Sequence, residues 1–282
     1  MSVPLLLSPR SLSRLAGKRS VLIIDARSFK DYHKGHIQGA VNLPLSEYHW
    51  ADTSPDGVRA FTNHMKRLLG FVGVSRNKHV IFYEDTSGMM AARGVWLLHY
   101  LGQNGASMLD GGLRAWEKTG YRTTTDPTPP KPTEFRIRIR PEVLATMDYV
   151  RKSLDDTDSS LLDVRSAEEY NGTLVRAARG GHIPRAKSVD WKRTLTRQGS
   201  LKPIAYLKRL YDREGLAMDS EVITYCQAGY RAAQAYVVLK LLGYSKVRNY
   251  LGSWFEWANA PDTPVESRNS KLDDSRPPPI ER

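Results

Sequence analysis

Residues 162–166, Leu-Asp-Val-Arg-Ser, repeat a pattern that residues 24–28, Ile-Asp-Ala-Arg-Ser, carry earlier in the chain. Further pairs follow in the same order: Gly-His-Ile at 35–37 and 181–183, Ala-Ala at 91–92 and 232–233, Leu-Gly at 101–102 and 242–243, and tryptophan at 116 and 257. Matches that keep their order over so much of the chain do not arise by chance. We therefore predict a duplication, with two homologous domains in tandem.

The predicted domain boundaries follow from this repeat and from the prolines. The first domain covers residues 1–122, and the second covers residues 141–266. Four prolines lie between positions 127 and 132, so residues 123–140 are predicted to form an extended linker. Residues 267–282 are predicted to form a tail, disordered or wrapped on the surface, because they contain little apolar surface to bury.

Each copy alternates short β-branched runs with helical patterns. Buried strands are predicted at residues 20–24, 79–83, 160–162 and 222–225. Helices are predicted at residues 91–101, 207–216 and 232–242. Strand followed by helix, repeated, predicts an α/β fold class in which each tandem domain is a small parallel sheet flanked by helices. In such sheets the functional groups lie beyond the carboxyl ends of the strands.

The composition and charge of the 282-residue chain limit its partners. No apolar run approaches the roughly 18 residues that span a bilayer, so we expect a cytoplasmic protein without a membrane partner. The formal charge of +12 favours anionic partners. The basic residues are spread along the chain without a long basic run or an aromatic RNA-binding signature, so we expect a small anionic substrate and no nucleic acid.

Cys226 is the single cysteine of the chain. An intramolecular disulfide and every multi-cysteine metal site are thereby excluded. The sequence contains no glycine-rich phosphate loop and no cluster of metal ligands, so we expect no cofactor and no metal. The cysteine therefore either packs as a small hydrophobic residue or does chemistry.

The position of Cys226 favours chemistry. It directly follows a predicted strand and precedes a predicted helix, so the amides of the loop and the helix dipole favour an anion at the sulfur. A glycine at 229 permits backbone conformations that other residues resist, and an arginine at 231 adds positive charge. Such a pocket holds a cysteine as its thiolate, so Cys226 is the predicted nucleophile. The residues predicted to surround the substrate are Gln227, Ala228, Gly229, Tyr230 and Arg231.

Two chemistries use a cysteine in a loop of this kind. Phosphatases related to the cell-cycle tyrosine phosphatases carry Cys-x5-Arg, whereas four residues separate Cys226 from Arg231. The smaller ring suits a single sulfur atom better than a phosphoryl group. In addition, Tyr225 stands where the phosphatases usually have histidine. Sulfur transfer is therefore the favoured interpretation.

Together these segments resemble the rhodanese family, and among its members the two-domain thiosulfate sulfurtransferases. The resemblance covers about residues 4–266 and is carried by Asp-Val-Arg-Ser at 163–166 with Glu-Tyr at 169–170, Gly-His-Ile-Pro at 181–184, the loop at 226–231 and Gly-Ser-Trp-Phe-Glu-Trp at 252–257. It implies two similar α/β domains with the active site in the second, at the domain interface. It also implies that a Cys226 persulfide moves sulfur from thiosulfate to a thiophilic acceptor, such as cyanide or a thiol.

The resemblance further implies that the first domain is catalytically inactive. With the spacing of 141 that relates the Ala-Ala pairs, Cys226 falls on Asp85 and Arg231 falls on Met90. A carboxylate cannot carry sulfane sulfur, and a methionine cannot hold an anion. We therefore expect the first domain to serve as a scaffold and as one wall of the cleft.

The substrate contacts outside the loop are open at this point. Many relatives hold the substrate anion with an arginine where this chain has Asn171, and we expect Arg176 or Arg179 to take that role, with Arg185 as a further candidate. Relatives that act on 3-mercaptopyruvate tend to have small neutral loop residues, so the loop ending in Arg231 favours thiosulfate. Two alternatives stay open: a 3-mercaptopyruvate sulfurtransferase, and a persulfide carrier that serves a protein acceptor.

Overall fold

The computed structural model describes residues 3–267, which form two five-stranded parallel sheets. The strands of the first are β1 (Leu6–Leu7), β2 (Val21–Asp25), β3 (Val41–Asn42), β4 (His79–Tyr83) and β5 (Ala106–Leu109). The strands of the second are β6 (Leu144–Ala145), β7 (Ser159–Asp163), β8 (Lys187–Ser188), β9 (Glu221–Tyr225) and β10 (Val247–Tyr250). The strand orders, β1-β5-β4-β2-β3 and β6-β10-β9-β7-β8, describe one topology used twice. The predicted α/β fold class with tandem domains is confirmed.

Helices alternate with the strands in both copies. Those of the first copy are α1 (Pro9–Leu15), α2 (Phe29–Lys34), α3 (Pro55–Phe71), α4 (Met89–Tyr100) and α5 (Gly112–Lys118). Those of the second copy are α6 (Met147–Ser153), α7 (Ala167–Asn171), α8 (Ile204–Asp212), α9 (Tyr230–Leu241) and α10 (Ser253–Asn259). Short 3-10 helices lie at Leu45–Glu47, Pro141–Val143 and Trp191–Thr194. Serine and threonine side chains cap five of the α-helices by accepting an amide from the first turn, which explains where those helices begin.

The predicted elements agree with the observed ones except in α8. The sequence predicted this helix at residues 207–216, whereas it begins at Ile204 and ends at Asp212. Pro203 precedes its first turn, where the missing amide of proline costs no hydrogen bond. The chain has already left the helix at Gly215, whose φ of +66° lies in the left-handed region. The glycine therefore follows the helix instead of belonging to its last turn.

The two domains pack through the central helices α4 and α9. The indole of Trp96 on α4 donates to the carbonyl of Val143 at 3.1 Å, and the His99 ring on α4 shares a hydrogen bond of 3.0 Å with the Tyr236 hydroxyl on α9. All four side chains are buried. Because α9 begins at Tyr230, at the end of the loop that starts with the cysteine, this interface brings the first domain against the loop at 226–231.

The predicted linker is extended but packs on the first domain. Phe135 is buried, and the amide of Arg138 donates to the carbonyl of Leu101 at 3.0 Å. The predicted tail lies outside the described residues except for residue 267. Within residues 3–267, no helix has the length and apolar character needed to cross a membrane.

Candidate active site

Cys226 is held at the carboxyl edge of the second sheet, between β9 and α9. Its side chain is buried, and its backbone is fixed from both sides. The Cys226 amide donates to the hydroxyl of Ser253 at 3.2 Å, while its carbonyl accepts the amide of Trp254 at 2.9 Å. Ser253 itself has a φ of +52°, an unusual value for a residue with a side chain. The start of α10 thus determines where the sulfur lies.

The loop after the cysteine presents backbone amides that have no acceptor. The amides of Gln227, Ala228 and Gly229 donate no hydrogen bond within residues 3–267, and we call these three amides the anion cradle. Gly229 has a φ of +77° and is the N-cap of α9, as its predicted conformational role requires. Free amides at the N-terminus of a helix favour an anion. The loop is therefore built to receive negative charge next to the sulfur.

Arg231 is oriented by the carboxylate of Glu169, a residue that carries the family resemblance but received no role at the site in the sequence analysis. Its two terminal nitrogens donate to the two carboxyl oxygens of Glu169 at 2.6 and 2.9 Å. Glu169 is fixed in turn by a capping box with Ser166 at the start of α7. The sequence predicted that Arg231 adds positive charge beside Cys226, and its planar guanidinium is in addition paired with Glu169.

Glu169 and Arg231 each stabilise the charged form of the other. Burial raises the pKa of Glu169, but the hydrogen bond and charge of Arg231 and the amide of Ser166 outweigh it and lower that pKa to about 2. Burial lowers the pKa of Arg231, yet Glu169 and the charge of Cys226 outweigh burial and raise it. Arg231 therefore remains a cation within electrostatic reach of the cysteine.

The arginines predicted outside the loop have different surroundings. Arg176 lies at the rim of the site. Its backbone carbonyl accepts a hydrogen bond of 3.0 Å from the side-chain Nε2 of Gln227, and the Nε of its exposed side chain lies 4.0 Å from a carboxyl oxygen of Glu169. Arg179 is engaged elsewhere, because its guanidinium donates to carbonyl oxygens at the end of α10 and in the turn after it, those of Trp257, Ala258, Ala260 and Thr263. Of the two arginines predicted to hold the substrate, Arg176 or Arg179, these contacts favour Arg176.

Arg185, the third candidate, lies at the wrong edge of the sheet. It precedes β8, and its guanidinium donates to the carbonyls of Leu154 and Asp156, which precede β7. The amino ends of parallel strands meet at one edge and the carboxyl ends at the other. Arg185 is therefore separated from Cys226 by the length of the sheet.

The first domain closes one side of the loop. The Tyr230 hydroxyl donates to the carbonyl of Ser46 at 3.4 Å, and the ring of His49 lies edge-on to Phe255 with centroids 5.3 Å apart. Partial burial of the ring, together with the positive charge of Arg93, lowers the pKa of His49, so this histidine is disfavoured as a cation although its side chain is exposed at the surface. The predicted cleft wall is thus formed by residues 46–49 of the first domain.

Arg93 on α4 is the contact that sequence reasoning missed entirely. Its guanidinium is fully buried and stacks over the ring of Tyr230 at 4.2 Å. No motif pointed to Arg93, because it lies inside an apolar helix of the domain predicted to be inactive. The only sequence signal was the charge itself, an arginine among alanine, glycine and valine.

The counterpart of Cys226 in the first domain is Glu84, not Asp85. Tyr83 and Tyr225 end equivalent strands, since they pair with Asp25 and Asp163, and the next residues are Glu84 and Cys226. The fixed spacing of 141 failed here because the loop of the first domain is one residue longer before its helix begins.

Glu84 fills the pocket that the second domain leaves open. Its carboxyl accepts the amides of Met90 and Ala91 at 2.6 and 3.0 Å, at the N-terminus of α4. Burial raises the pKa of Glu84 to about 7, although the two amides act in the opposite direction. Met90 keeps the helix position of Arg231 that the spacing predicted. The first domain has thus built a carboxyl group into its own anion site.

Comparison with known proteins finds the same domain family in both copies of the duplication. The family description "Rhodanese-like domain" matches residues 8–119 and 146–260. A thiosulfate sulfurtransferase of Pseudomonas aeruginosa is 32% identical over 264 residues, which are 94% of this chain and 97% of that protein. A thiosulfate sulfurtransferase of Azotobacter vinelandii is 31% identical over 265 residues, with 94% and 98% covered. The sulfur carrier protein TtuD of Thermus thermophilus is 32% identical over 249 residues, with 83% and 86% covered.

A solved structure shares the arrangement of both domains. An anaerobic ergothioneine biosynthesis enzyme from Chlorobium limicola, in complex with trimethyl histidine, superposes with a TM-score of 0.84. The match is 22% identical and covers 93% of this chain and 70% of that chain. At this identity the likeness concerns the fold.

Proposed function

The chain belongs to the rhodanese family and is a sulfurtransferase, and on that premise we propose that Cys226 carries sulfur from thiosulfate to a thiophilic acceptor as a persulfide. The observation that carries this proposal is the set of free amides in the anion cradle beside the chain's single cysteine. A persulfide is an anion bound to the cysteine, and the cradle offers it hydrogen-bond donors.

The proposed reaction is a double displacement. The Cys226 thiolate attacks the outer sulfur of thiosulfate, a sulfur–sulfur bond forms, and the sulfur–sulfur bond of thiosulfate breaks, so that sulfite leaves with the bonding electron pair. Cyanide or a thiolate then attacks the terminal sulfur of the persulfide, and the Cys226 thiolate is the leaving group. In the proposed reaction the attacking species is the thiolate, so neither step uses a general base.

The site supports this chemistry through charge. Thiosulfate is a dianion, and Arg231 together with Arg176 at the rim supplies positive charge where it would enter. The backbone amides of the anion cradle have no acceptor among the described residues. Preorganised donors of this kind stabilise charge that moves during a reaction.

A persulfide carrier is the second candidate, favoured by the likeness to a relative named as a sulfur carrier protein. A carrier would form the same persulfide on Cys226 but pass its sulfur to a protein. Transfer from 3-mercaptopyruvate is the other open alternative. The carboxylate of that donor could meet the same arginines, so the assay has to compare the two donors directly.

The test combines mass spectrometry with turnover. Thiosulfate should add the mass of one sulfur atom to the peptide that contains Cys226, and cyanide should remove it. Steady-state turnover with cyanide should be faster from thiosulfate than from 3-mercaptopyruvate, and both Cys226→Ser and Cys226→Ala should be folded and inert. Turnover that persists in Cys226→Ala contradicts the persulfide mechanism, and loading without multiple turnover favours the carrier.

A further inference from the structure

Arg93 is a buried cation with no anionic partner among the described residues. None of the ion pairs formed by residues 3–267 includes it. Its Nε and Nη1 are buried without a hydrogen-bond acceptor, and its Nη2 reaches only the carbonyl of Tyr48, at 3.4 Å. An arginine keeps its charge in proteins, and a buried charge without a partner is costly. A nearby negative charge would offset the cost of burying this guanidinium.

The cysteine loop is the neighbour that Arg93 faces. The guanidinium stacks over Tyr230, and a Cβ placed on Gly229 would lie 3.3 Å from its Nη1. Burial lowers the pKa of Arg93, while the charges of Tyr230 and Cys226 act in the opposite direction. The two residues it contacts are therefore the last residue of the anion cradle and the first residue of α9.

We infer that Arg93, supplied by the catalytically silent first domain, is the buried counterion of the Cys226 thiolate and of its persulfide. The inference deepens the proposed function and rests on it for the persulfide. Arg93 is buried, so it acts through the loop and the charge on sulfur without touching the donor. It is thus a positioning residue, and the contribution of the first domain to the site is electrostatic as well as steric.

The other charged groups near Cys226 do not make Arg93 redundant. Arg231 shares the carboxylate of Glu169 with the exposed side chain of Arg176, so that carboxylate reduces the positive charge these two arginines direct toward the sulfur. Tyr230 is uncharged at neutral pH, because burial and the charge of Cys226 raise its pKa in spite of Arg93. His49 is disfavoured as a cation, as described above. Arg93 is then the cation whose charge is uncompensated on this side of the loop.

The test is the alkylation of Cys226, which requires no sulfur donor. Arg93→Gln removes the charge and introduces the residue that α9 carries at the same helix position, Gln234. We expect the midpoint of the alkylation rate against pH to rise by about one pH unit, so that alkylation below both midpoints is about tenfold slower. We also expect the variant to lose the preference for iodoacetate over iodoacetamide, because the cation that attracts the anionic reagent is gone.

Two further variants separate charge from packing. Arg93→Lys keeps the charge and should retain most of the wild-type midpoint, even if it loses thermal stability. Arg27→Gln removes a guanidinium that Asp25 already neutralises in the same domain, and it should leave the midpoint unchanged. An unshifted midpoint in Arg93→Gln, or an equal shift in Arg27→Gln, would overturn the inference. A shift in Arg93→Gln alone supports it, whether or not thiosulfate proves to be the donor.

Discussion

Glu84 occupies in the first domain the place that Cys226 occupies in the second. The carbonyl oxygens of both residues accept an amide from the helix after the last strand, from Leu113 at 2.7 Å and from Trp254 at 2.9 Å. In the first domain the carboxyl group accepts the amides of Met90 and Ala91 on α4, whereas the corresponding amides of Arg231 and Ala232 on α9 have no acceptor among residues 3–267. One duplicated framework thus holds a built-in carboxyl group on one side and an open anion site on the other.

The first prediction concerns the silent loop. Glu84→Ala should leave kcat and KM for thiosulfate within a few-fold of wild type, because the only nucleophile lies in the other domain. Steady-state kinetics measure this, with Cys226→Ser as the inert reference and circular dichroism as the check on folding. A loss of several orders of magnitude in a folded Glu84→Ala protein would mean that the first loop takes part in the reaction.

The second prediction concerns the pH dependence of stability at Glu84. Because the pKa of Glu84 is raised to about 7, its contribution to stability is complete below its unfolded pKa of about 4.3 and is lost as pH rises through 7. Glu84→Gln keeps an oxygen for the amides of Met90 and Ala91 but has no charge to bury. The variant should therefore gain about 3 kcal/mol relative to wild type between pH 4.5 and pH 8.

Urea unfolding of wild type and Glu84→Gln at a series of pH values measures this difference. A stability difference that stays constant across the series would show that Glu84 does not change its protonation near neutrality.

The third prediction concerns acid conditions and Glu169. The pKa of Glu169 is lowered to about 2, so its pairing with Arg231 adds stability above the unfolded pKa of about 4.3 and loses it as pH falls toward 2. Glu169→Gln should be less stable than wild type by about 3 kcal/mol at pH 7. Thermal unfolding should show the two proteins converging below pH 4, and a gap that persists to pH 2 would contradict the assignment.

The fourth prediction concerns the kinetic role of Arg231. Arg231→Ala should lower kcat/KM for thiosulfate by about ten- to a hundred-fold, the loss expected for a hydrogen bond to a charged group. Arg231→Lys keeps the charge but loses the planar guanidinium that donates two hydrogen bonds to Glu169, so it should recover only part of the activity. Unchanged KM and kcat in Arg231→Ala would mean that the anion cradle binds thiosulfate without a contribution from Arg231.

The fifth prediction uses two glycines with nearly the same backbone conformation. Gly229 has φ +77° and Gly39 has φ +79°, so alanine at either position costs about 1 kcal/mol of strain. A Cβ at Gly39 meets nothing within 4 Å, whereas at Gly229 it would lie 2.7 Å from the carbonyl oxygen of Leu251. Gly229→Ala should therefore displace the cysteine loop and abolish most activity, while Gly39→Ala should be fully active. Equal activity of the two variants would show that the loop tolerates displacement.

Patterns between neighbouring residues were enough to predict the tandem α/β domains and the strand, loop and helix around Cys226. Strand and helix formation depends on residues close in sequence, and the duplication provided the same information twice. For the same reason Gly229 could be predicted to adopt an unusual conformation, since a tight loop before a helix requires one.

The contacts that define the site arise between residues far apart in the chain, and no local pattern contains them. Glu84 could be recognised as the counterpart of Cys226 only from the pairing of β2 with β4, because a fixed spacing cannot locate an added loop residue. Arg231 donates two hydrogen bonds to Glu169, and Arg179 donates to carbonyl oxygens at the end of α10 and in the turn after it. Both sets of contacts depend on side-chain directions that the fold imposes. Arg93 reaches the cysteine loop only because α4 packs against α9, which buries its charge beside the sulfur.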